Sequence, residues 1–157
     1  MTSTKTNRLR FLLLCLVCMA LLAGCNGKPL PTAQSVMDAV RAGQPFAEMT
    51  DMPDDQLNSY LALEEGWYTD AVAAFDVSRY TPEAVIVVTA KDKTTFAQLK
   101  QALQSYRDNL LEEYRTYLPE EMPKIEQASV REKGLQLALV IAPDDQKTAQ
   151  ALDAVWK

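Results

Sequence analysis

The sequence predicts an α+β fold: two layers, with a long helix crossing one face of a mostly antiparallel four-stranded sheet made of two hairpins. Residues 84–90, AVIVVTA, are β-branched and almost wholly apolar, which is typical of a buried central strand. An apolar stripe from Phe96 to Tyr117 then advances by 3, 4, 3, 4, 4 and 3 residues, as one face of a long helix does. Lys133-Gly134, set between two further strand-like runs, predicts the turn of the second hairpin.

Two short helices are expected before the sheet. Thr32 is placed to cap the first, whose apolar positions follow at helical spacing and which Gly43 can close. A polar, proline-containing connector follows. Asp54 and Asp55 then begin the second helix, which Gly66-Trp67 should end. The two acids suit the positive end of the helix dipole.

The remaining elements are predicted from changes in the spacing of apolar residues along the sequence. Residues 71–78, AVAAFDVS, alternate enough for a strand that pairs with residues 84–90. Asp92, Thr94 and Thr95 are candidate caps at the start of the long helix, and Thr95 with Gln98 has capping-box spacing. Residues 124–142, KIEQASVREKGLQLALVIA, should hold the second hairpin, and Pro143-Asp144-Asp145 should begin a final helix. The predicted order is α-α-β-β-α-β-β-α.

The first 24 residues have the pattern of an export signal. Their start is basic, with Lys5, Arg8 and Arg10. The apolar run at residues 11–22 is twelve residues long, whereas a membrane-spanning helix needs about 20. The following Leu22-Ala23-Gly24-Cys25 resembles the lipobox of bacterial lipoproteins. That resemblance implies cleavage between Gly24 and Cys25, a lipid on the Cys25 thiol, and a place on the extracytoplasmic face of the cell membrane. The alternative is ordinary secretory cleavage that leaves Cys25 free.

The domain organisation follows from this leader. Residues 1–24 are interpreted as the lipoprotein signal peptide, residues 25–32 as lipidated Cys and tether, and residues 33–157 as a single extracytoplasmic domain. Two or more acyl chains give stable membrane attachment, and the prolines of the tether favour an extended chain. The CxxC of Cys15 and Cys18 lies in the apolar leader and should be removed with it.

Composition excludes several function classes. Removing the leader takes away three of the 16 basic residues, so 13 bases remain against 21 acids, a net charge of −8. The mature chain has no His and no Cys other than Cys25, which excludes Cys/His zinc sites and Ser-His-Asp or Cys-His catalysis. Bases are interspersed with acids along the sequence, which argues against nucleic acid as a partner. No cofactor and no metal are expected.

Aromatic residues supply the candidate partner-binding surface. Tyr60, Trp67, Tyr68 and Tyr80 fall in or beside predicted loops, where large rings are needed less for packing. Tyr106, Tyr114 and Tyr117 share the stripe of the long helix and are expected to belong to the core.

Acidic residues supply the alternatives. Five acidic doublets occur, but adjacent residues on a helix point in different directions, so a doublet is not the facing pair that glycoside hydrolysis requires. A carboxylate-based hydrolase acting on cell-wall material is the alternative function, and it would need two carboxyls facing each other in a pocket. Weak calcium binding at Asp51, Asp54 and Asp55 is a second alternative.

Residues 33–145 resemble the bacterial lipoprotein family catalogued as domain of unknown function 4358. The resemblance rests on the lipobox, on YLPEE at residues 117–121, on KIEQASV at residues 124–130, and on Gly134 before an apolar strand and Asp-Asp. The family has no assigned activity. The resemblance therefore supports the location and the fold and carries no mechanism. The anchor, together with the absence of His, of a mature free thiol and of metal-ligand spacing, predicts a lipid-anchored, non-catalytic binding or accessory module of the cell envelope. Its partners are the membrane, through the anchor, and an envelope protein, peptide or glycan.

Overall fold

The computed structural model describes residues 29–157; the predicted signal peptide, Cys25 and the first part of the tether lie outside them. Residues 29–157 form five α-helices and five strands. Their order is α1 Ala33–Gly43, β1 Met49–Asp51, α2 Asp54–Leu61, β2 Tyr68–Asp76, β3 Ala84–Ala90, α3 Lys93–Tyr117, α4 Met122–Gln127, β4 Val130–Lys133, β5 Gln136–Ile141 and α5 Asp145–Val155, with a 3-10 turn at Pro119–Glu121. No helix among these residues is long and apolar enough to cross a membrane.

The sheet is antiparallel throughout, in the order β1-β2-β3-β5-β4. The α+β class and the two hairpins, β2–β3 and β4–β5, are confirmed, and the hairpins join through β3 and β5. The predicted number of strands is wrong. A fifth strand, β1, pairs with the end of β2, Met49 opposite Asp76. Three residues with one apolar side chain carry no readable period, so only the pairing reveals this strand.

The two-layer prediction is also wrong, because helices cover both faces of the sheet. Alternate residues of β3 point to opposite sides. Ile86 and Val88 belong to a core under α2, α3 and α4, whereas Val85 and Val87 belong to a second core under α1 and α5. A strand that is apolar on both faces needs cover on both. The result is a three-layer arrangement in which β3 is buried except for the half-buried Thr89, as its composition predicted.

Helix caps explain where several elements begin. The Thr32 hydroxyl accepts a hydrogen bond from the Ser35 amide at 3.2 Å, as predicted. Of the three candidate caps of α3, the structure uses Asp92. The Asp92 carboxylate accepts from the amides of Thr94 and Thr95, and the Thr95 hydroxyl accepts from the Asp92 amide in return. The predicted Thr95–Gln98 box is therefore replaced by one that starts three residues earlier.

Two boundaries differ from the prediction. Residues 124–127, expected in the second hairpin, are helical, and the strand begins only at Val130. Pro123 near the helix start and buried Ile125 favour this helical turn. Helix α2 ends at Leu61, before Gly66, because Ala62 takes the left-handed conformation with φ 53°. The turn at Gly134 is confirmed, with φ +59°.

The sheet has two dissimilar ends. At one, which we call the tether end, the chain arrives from the predicted tether: Leu30 packs over Gly134, and Gln136 donates a side-chain hydrogen bond to the Pro31 carbonyl at 2.9 Å. The Ala90 amide bonds the Leu135 carbonyl there, which brings the start of α3 to the same end. At the opposite end lies the β2–β3 turn, residues 77–82, which we call the distal turn.

Candidate functional site

Three aromatic rings from three elements form the centre of the candidate site. Tyr60 on α2 lies with its ring centroid 4.7 Å from that of Phe75 on β2 and 6.0 Å from that of Tyr106 on α3. Phe75 and Tyr106 meet edge to face at 5.9 Å. Burial of Leu57 and Leu61 holds α2 against the core and turns Tyr60 outward, so 52% of that residue stays exposed. The cluster is therefore both packed and open to solvent.

An outer cavity of about 450 Å³ runs from these rings to the distal turn. Its walls combine the rings with Val77 and Arg79 of the turn, with the adjacent Glu83, and with Leu110 and Tyr114 of α3. The Tyr114 hydroxyl lies 2.8 Å from the Thr81 carbonyl and 3.2 Å from the Arg79 carbonyl, to which it donates. The long helix thus holds the turn that forms this wall.

An inner cavity of about 540 Å³ continues along α3 on the other side of Tyr60. Trp67 and Leu61 form one wall. The α3 side contributes a stripe of uncharged polar residues at helical spacing, Gln98, Gln101, Ser105 and Asn109. Tyr60 and Tyr106 line both cavities, so the two form one aromatic groove. From residue 98 to residue 114 an α-helix spans roughly 24 Å.

Two buried carboxylates stand at the outer cavity, and both are engaged. Asp76 accepts hydrogen bonds from the amides of Ser78 and Thr81 and from the Thr81 hydroxyl. Its partial burial alone would raise its pKa, but these hydrogen bonds outweigh burial and the pKa of Asp76 is lowered. Glu83 accepts from the Ala47 amide at 2.6 Å and from the Lys124 ammonium at 2.8 Å. Both carboxylates therefore stabilise the fold around the distal turn.

Lys124 completes this network. Its ammonium lies 2.8 Å from carboxylate oxygens of both Glu83 and Glu121. Burial opposes its charge, yet the hydrogen bonds to Glu121 and Glu83 dominate and the pKa of Lys124 is raised. The cation ties α4 to the strand that leaves the distal turn.

Burial also fixes two groove tyrosines in their neutral form. It raises the pKa of Tyr114 to about 12; the neighbouring Arg79 opposes this, and Asp76 adds to it. Burial, with a contribution from Tyr60, raises the pKa of Tyr106 well above its usual value. Both rings present neutral hydroxyls and apolar faces at ordinary pH.

The structure separates the four predicted loop aromatics. Tyr60 and Trp67 come together in the aromatic groove. Tyr68 packs against the core and donates its hydroxyl to Asn58 at 2.8 Å, lining neither cavity. Tyr80 is 73% exposed in the distal turn and also lines neither cavity.

The helix tyrosines are divided as well. Tyr114 is buried in the core, as predicted, and Tyr106 packs partly against it. Tyr117 is 56% exposed, so its assignment to the core is wrong. The apolar stripe of α3 is longer than the part of the helix that packs against the sheet. Sequence reasoning missed Phe75 and the uncharged stripe of the groove. The spacing of Gln98, Gln101, Ser105 and Asn109, advancing by 3, 4 and 4, was the available signal.

Among the remaining predicted positions, Asp51, Asp54 and Asp55 line neither cavity. Cys25 and Gly24 lie outside the described residues. Asp51 forms an ion pair with Arg41 at 2.7 Å. Within residues 29–157 no group of three or more Asp or Glu side chains is arranged to hold a metal ion.

The chain matches one protein family. The family model described as Domain of unknown function (DUF4358) matches residues 44–142, which include the whole sheet and every residue that lines the groove. Neither a curated protein nor a solved structure matches the chain.

Proposed function

The chain belongs to the DUF4358 family, whose description assigns no activity, and on that premise we propose that it is a lipid-anchored, extracytoplasmic binding module. The aromatic groove is the observation that carries this proposal. Soluble proteins bury large rings where packing allows, so a half-exposed Tyr60 between two cavities is a binding feature rather than a packing one. The proposal rests on the shape of the groove and on the chemistry of its lining residues.

The ligand class that fits the groove best is a glycan strand. Aromatic rings with one polar edge contact the apolar faces of sugar rings, while Gln and Asn side chains both donate and accept hydrogen bonds. The inner cavity offers both, since Trp67 and Tyr60 face Gln98, Gln101 and Asn109. Glu64 is its one charged lining residue. A groove about 24 Å long suits an extended, mostly uncharged chain.

Calorimetry with an oligomer of N-acetylglucosamine tests this ligand class. We expect binding by the mature protein, and Tyr60→Ala should weaken it at least about tenfold, because aromatic anchors dominate binding sites. Tyr80→Ala is the matched control, since Tyr80 is also exposed but lines neither cavity. Binding of a peptide instead of the oligomer, or equal effects of the two variants, would reject the glycan assignment.

A carboxylate-based hydrolase is the second candidate, because Asp76 and Glu83 both line the outer cavity. A general acid needs a raised pKa, whereas hydrogen bonds lower that of Asp76, and Glu83 is held by Lys124 and a backbone amide. This arrangement supports binding over hydrolysis. Shortened oligomers after prolonged incubation, absent with Asp76→Asn, would favour the hydrolase instead.

The anchor has its own test. Cells labelled with a clickable palmitate analogue should show label on the wild-type protein and none on Cys25→Ser, because that substitution removes the only thiol that survives signal cleavage. The variant should also remain uncleaved, since in the lipoprotein family the peptidase acts on lipid-modified precursor. Equal labelling of the two proteins would mean that Cys25 is not the acylated residue.

A further inference from the structure

The two halves of the aromatic groove differ in charge. Four charged side chains line the outer cavity: Asp76, Arg79, Glu83 and Glu113. The inner cavity has one, Glu64. A ligand strand that follows the groove therefore passes from an almost uncharged lining to a charged one. The uncharged stripe of the inner cavity suits neutral sugars, and the charges of the outer cavity call for a ligand group of their own.

Ion pairs offset only part of the negative charge around the outer cavity. Arg79 pairs with Glu113, and these two charges offset each other. Lys124 is shared between Glu83 and Glu121, each of which has a carboxylate oxygen 2.8 Å from its ammonium. One cation against two carboxylates leaves this group with a charge of −1.

Asp76 adds a second uncompensated charge. Its hydrogen-bond donors are neutral amides and the Thr81 hydroxyl, and within residues 29–157 it forms no ion pair. Burial opposes its charge, but the hydrogen bonds from Ser78 and Thr81 prevail, so the pKa of Asp76 is lowered and the carboxylate is charged at neutral pH. Adding −1 from Asp76 to −1 from the Lys124 group gives a net charge of −2 around the cavity.

Aromatic rings line the same cavity: Tyr60, Phe75, Tyr106 and Tyr114. The rings of Tyr60 and Phe75 lie 4.7 Å apart, and those of Phe75 and Tyr106 lie 5.9 Å apart. The electron-rich face of an aromatic ring attracts a cation, and more so where water is partly excluded. Rings together with a net negative charge therefore favour an organic ammonium group over a neutral or anionic one.

We propose that the outer cavity binds a primary ammonium group of the glycan, carried by an amino sugar whose nitrogen is not acetylated. The inference rests on the proposed glycan-binding function. Tyr60 and Tyr106 line both cavities, so neighbouring sugars of one strand can occupy the two together. An acetylated amino sugar is neutral and gains nothing from the net charge, whereas a free amine is protonated and is attracted by it.

Calorimetry of the mature protein with three sugar tetramers tests this inference, at about pH 6 so that a free amine is protonated. One tetramer is N-acetylglucosamine throughout, and each of the other two carries a single free amine, at opposite ends of the strand. One of these two should bind at least about fivefold more tightly than the fully acetylated tetramer. If neither binds more tightly than the fully acetylated tetramer, the proposal is overturned.

Charge variants then locate the preference for the amine. Glu113→Gln removes a negative charge from the cavity and should lower the preference at least about threefold, whereas Arg79→Gln should raise it. Both side chains are largely exposed, so the variants should fold. Asp153→Asn is the matched control, because Asp153 is exposed on α5, across the sheet, and lines neither cavity. Equal effects of Glu113→Gln and Asp153→Asn would reject the outer cavity as the site.

A single sugar keeps this inference separate from the glycan-binding function. In NMR titrations, methyl glucosaminide should shift the amide signals of Val77 and Thr81, which line the outer cavity, and its N-acetylated form should not. These shifts without binding of any tetramer would support the ammonium site and reject the glycan strand. Equal binding of all three tetramers would retain the strand and overturn the ammonium site. Stronger shifts with a lysine-containing tripeptide would assign the site to a peptide amine and overturn the sugar.

Discussion

The two ends of the sheet use charge in opposite ways. At the distal turn two carboxylates are buried and held by hydrogen bonds, since Asp76 accepts from Thr81 and Glu83 binds Lys124, while Arg79 and Glu113 form an exposed ion pair. At the tether end four lysines are exposed, and none forms an ion pair with a carboxylate of residues 29–157: Lys91, Lys93, Lys133 and Lys157. Buried charges must be compensated to persist, whereas exposed ones cost little and remain available. The buried carboxylates of the distal turn stabilise its conformation, whereas the lysines of the tether end remain exposed to solvent.

The largest expected effect tests this contrast directly. Glu83→Ala leaves the Lys124 ammonium and the Ala47 amide without their shared partner, so we expect a loss of about 3 kcal/mol in the free energy of unfolding. Lys133→Ala, at the tether end, should change it by less than about 0.5 kcal/mol. Urea unfolding followed by circular dichroism measures both. Similar losses for the two variants would erase the distinction between the ends.

A smaller effect is expected at Asp76. Asp76→Asn keeps the size of the side chain but loses charge-assisted hydrogen bonds, at a cost of about 2 kcal/mol. Because the folded state lowers the pKa of Asp76, its contribution is present above the unfolded-state pKa and is lost as pH falls through the folded-state pKa. The variant should therefore lose less stability than wild type between about pH 5 and pH 2, by urea titration at each pH. An unchanged acid slope would contradict the role given to this carboxylate.

Tyr114→Phe sharpens the comparison at alkaline pH. The hydroxyl ties α3 to the distal turn, so its removal should cost about 1 kcal/mol at neutral pH. The folded-state pKa of about 12 exceeds the usual value near 10, so this contribution is present below pH 10 and is lost as pH rises from about 10 to 12.

Thermal unfolding across this range provides the measurement. The destabilising effect of Tyr114→Phe should shrink as pH approaches 12, although Tyr106, whose pKa is also raised, keeps part of the wild-type slope in both proteins. Tyr117→Phe is the matched control, since Tyr117 is exposed and lies one turn further along α3. A gap between wild type and Tyr114→Phe that stays constant with pH would contradict the assignment.

The smallest effect is expected at the tether end. Gly134 has φ +59°, a conformation that side chains adopt at a cost, so Gly134→Ala should lose about 1 kcal/mol or slightly less. A Cβ there would touch Leu30 at an ordinary 3.4 Å, which leaves backbone strain as the cause. Gly134→Asn should lose less, because Asn tolerates the left-handed region. If Asn proved as costly as Ala, crowding against Leu30 rather than φ would be responsible.

Sequence periodicity predicted the elements whose apolar spacing is long and regular. The stripe of α3 and the apolar run of β3 were sufficient for the class and for both hairpins. Short elements were not predicted, for a physical reason. With three residues in β1 and six in α4, neither is long enough to show a periodic pattern, so strand pairing and burial decide their secondary structure. The second helical layer could have been expected, since a strand apolar on both faces needs two covers.

The candidate site was predicted less completely. Tyr60 and Trp67 were selected as rings outside obvious packing positions, and both line the groove. Tyr106 was assigned to the core and Phe75 was not singled out, because burial and groove lining coincide at the same side chains. The sequence does not show that Lys91 and Lys133 lie at the same end of the sheet. Only the pairing of β3 with β5, and of β5 with β4, brings them there.

The junction below Leu30 has a mechanical consequence. The Pro31 carbonyl is held by Gln136 on β5, the Ala33 amide is held by Asp70 on β2, and the Trp156 indole donates to the same Gln136 at 2.7 Å. A pull on the residues before Leu30 is therefore shared between two strands on either side of β3 and the C-terminal helix, instead of peeling off α1 first. The domain should therefore resist unfolding that starts at α1.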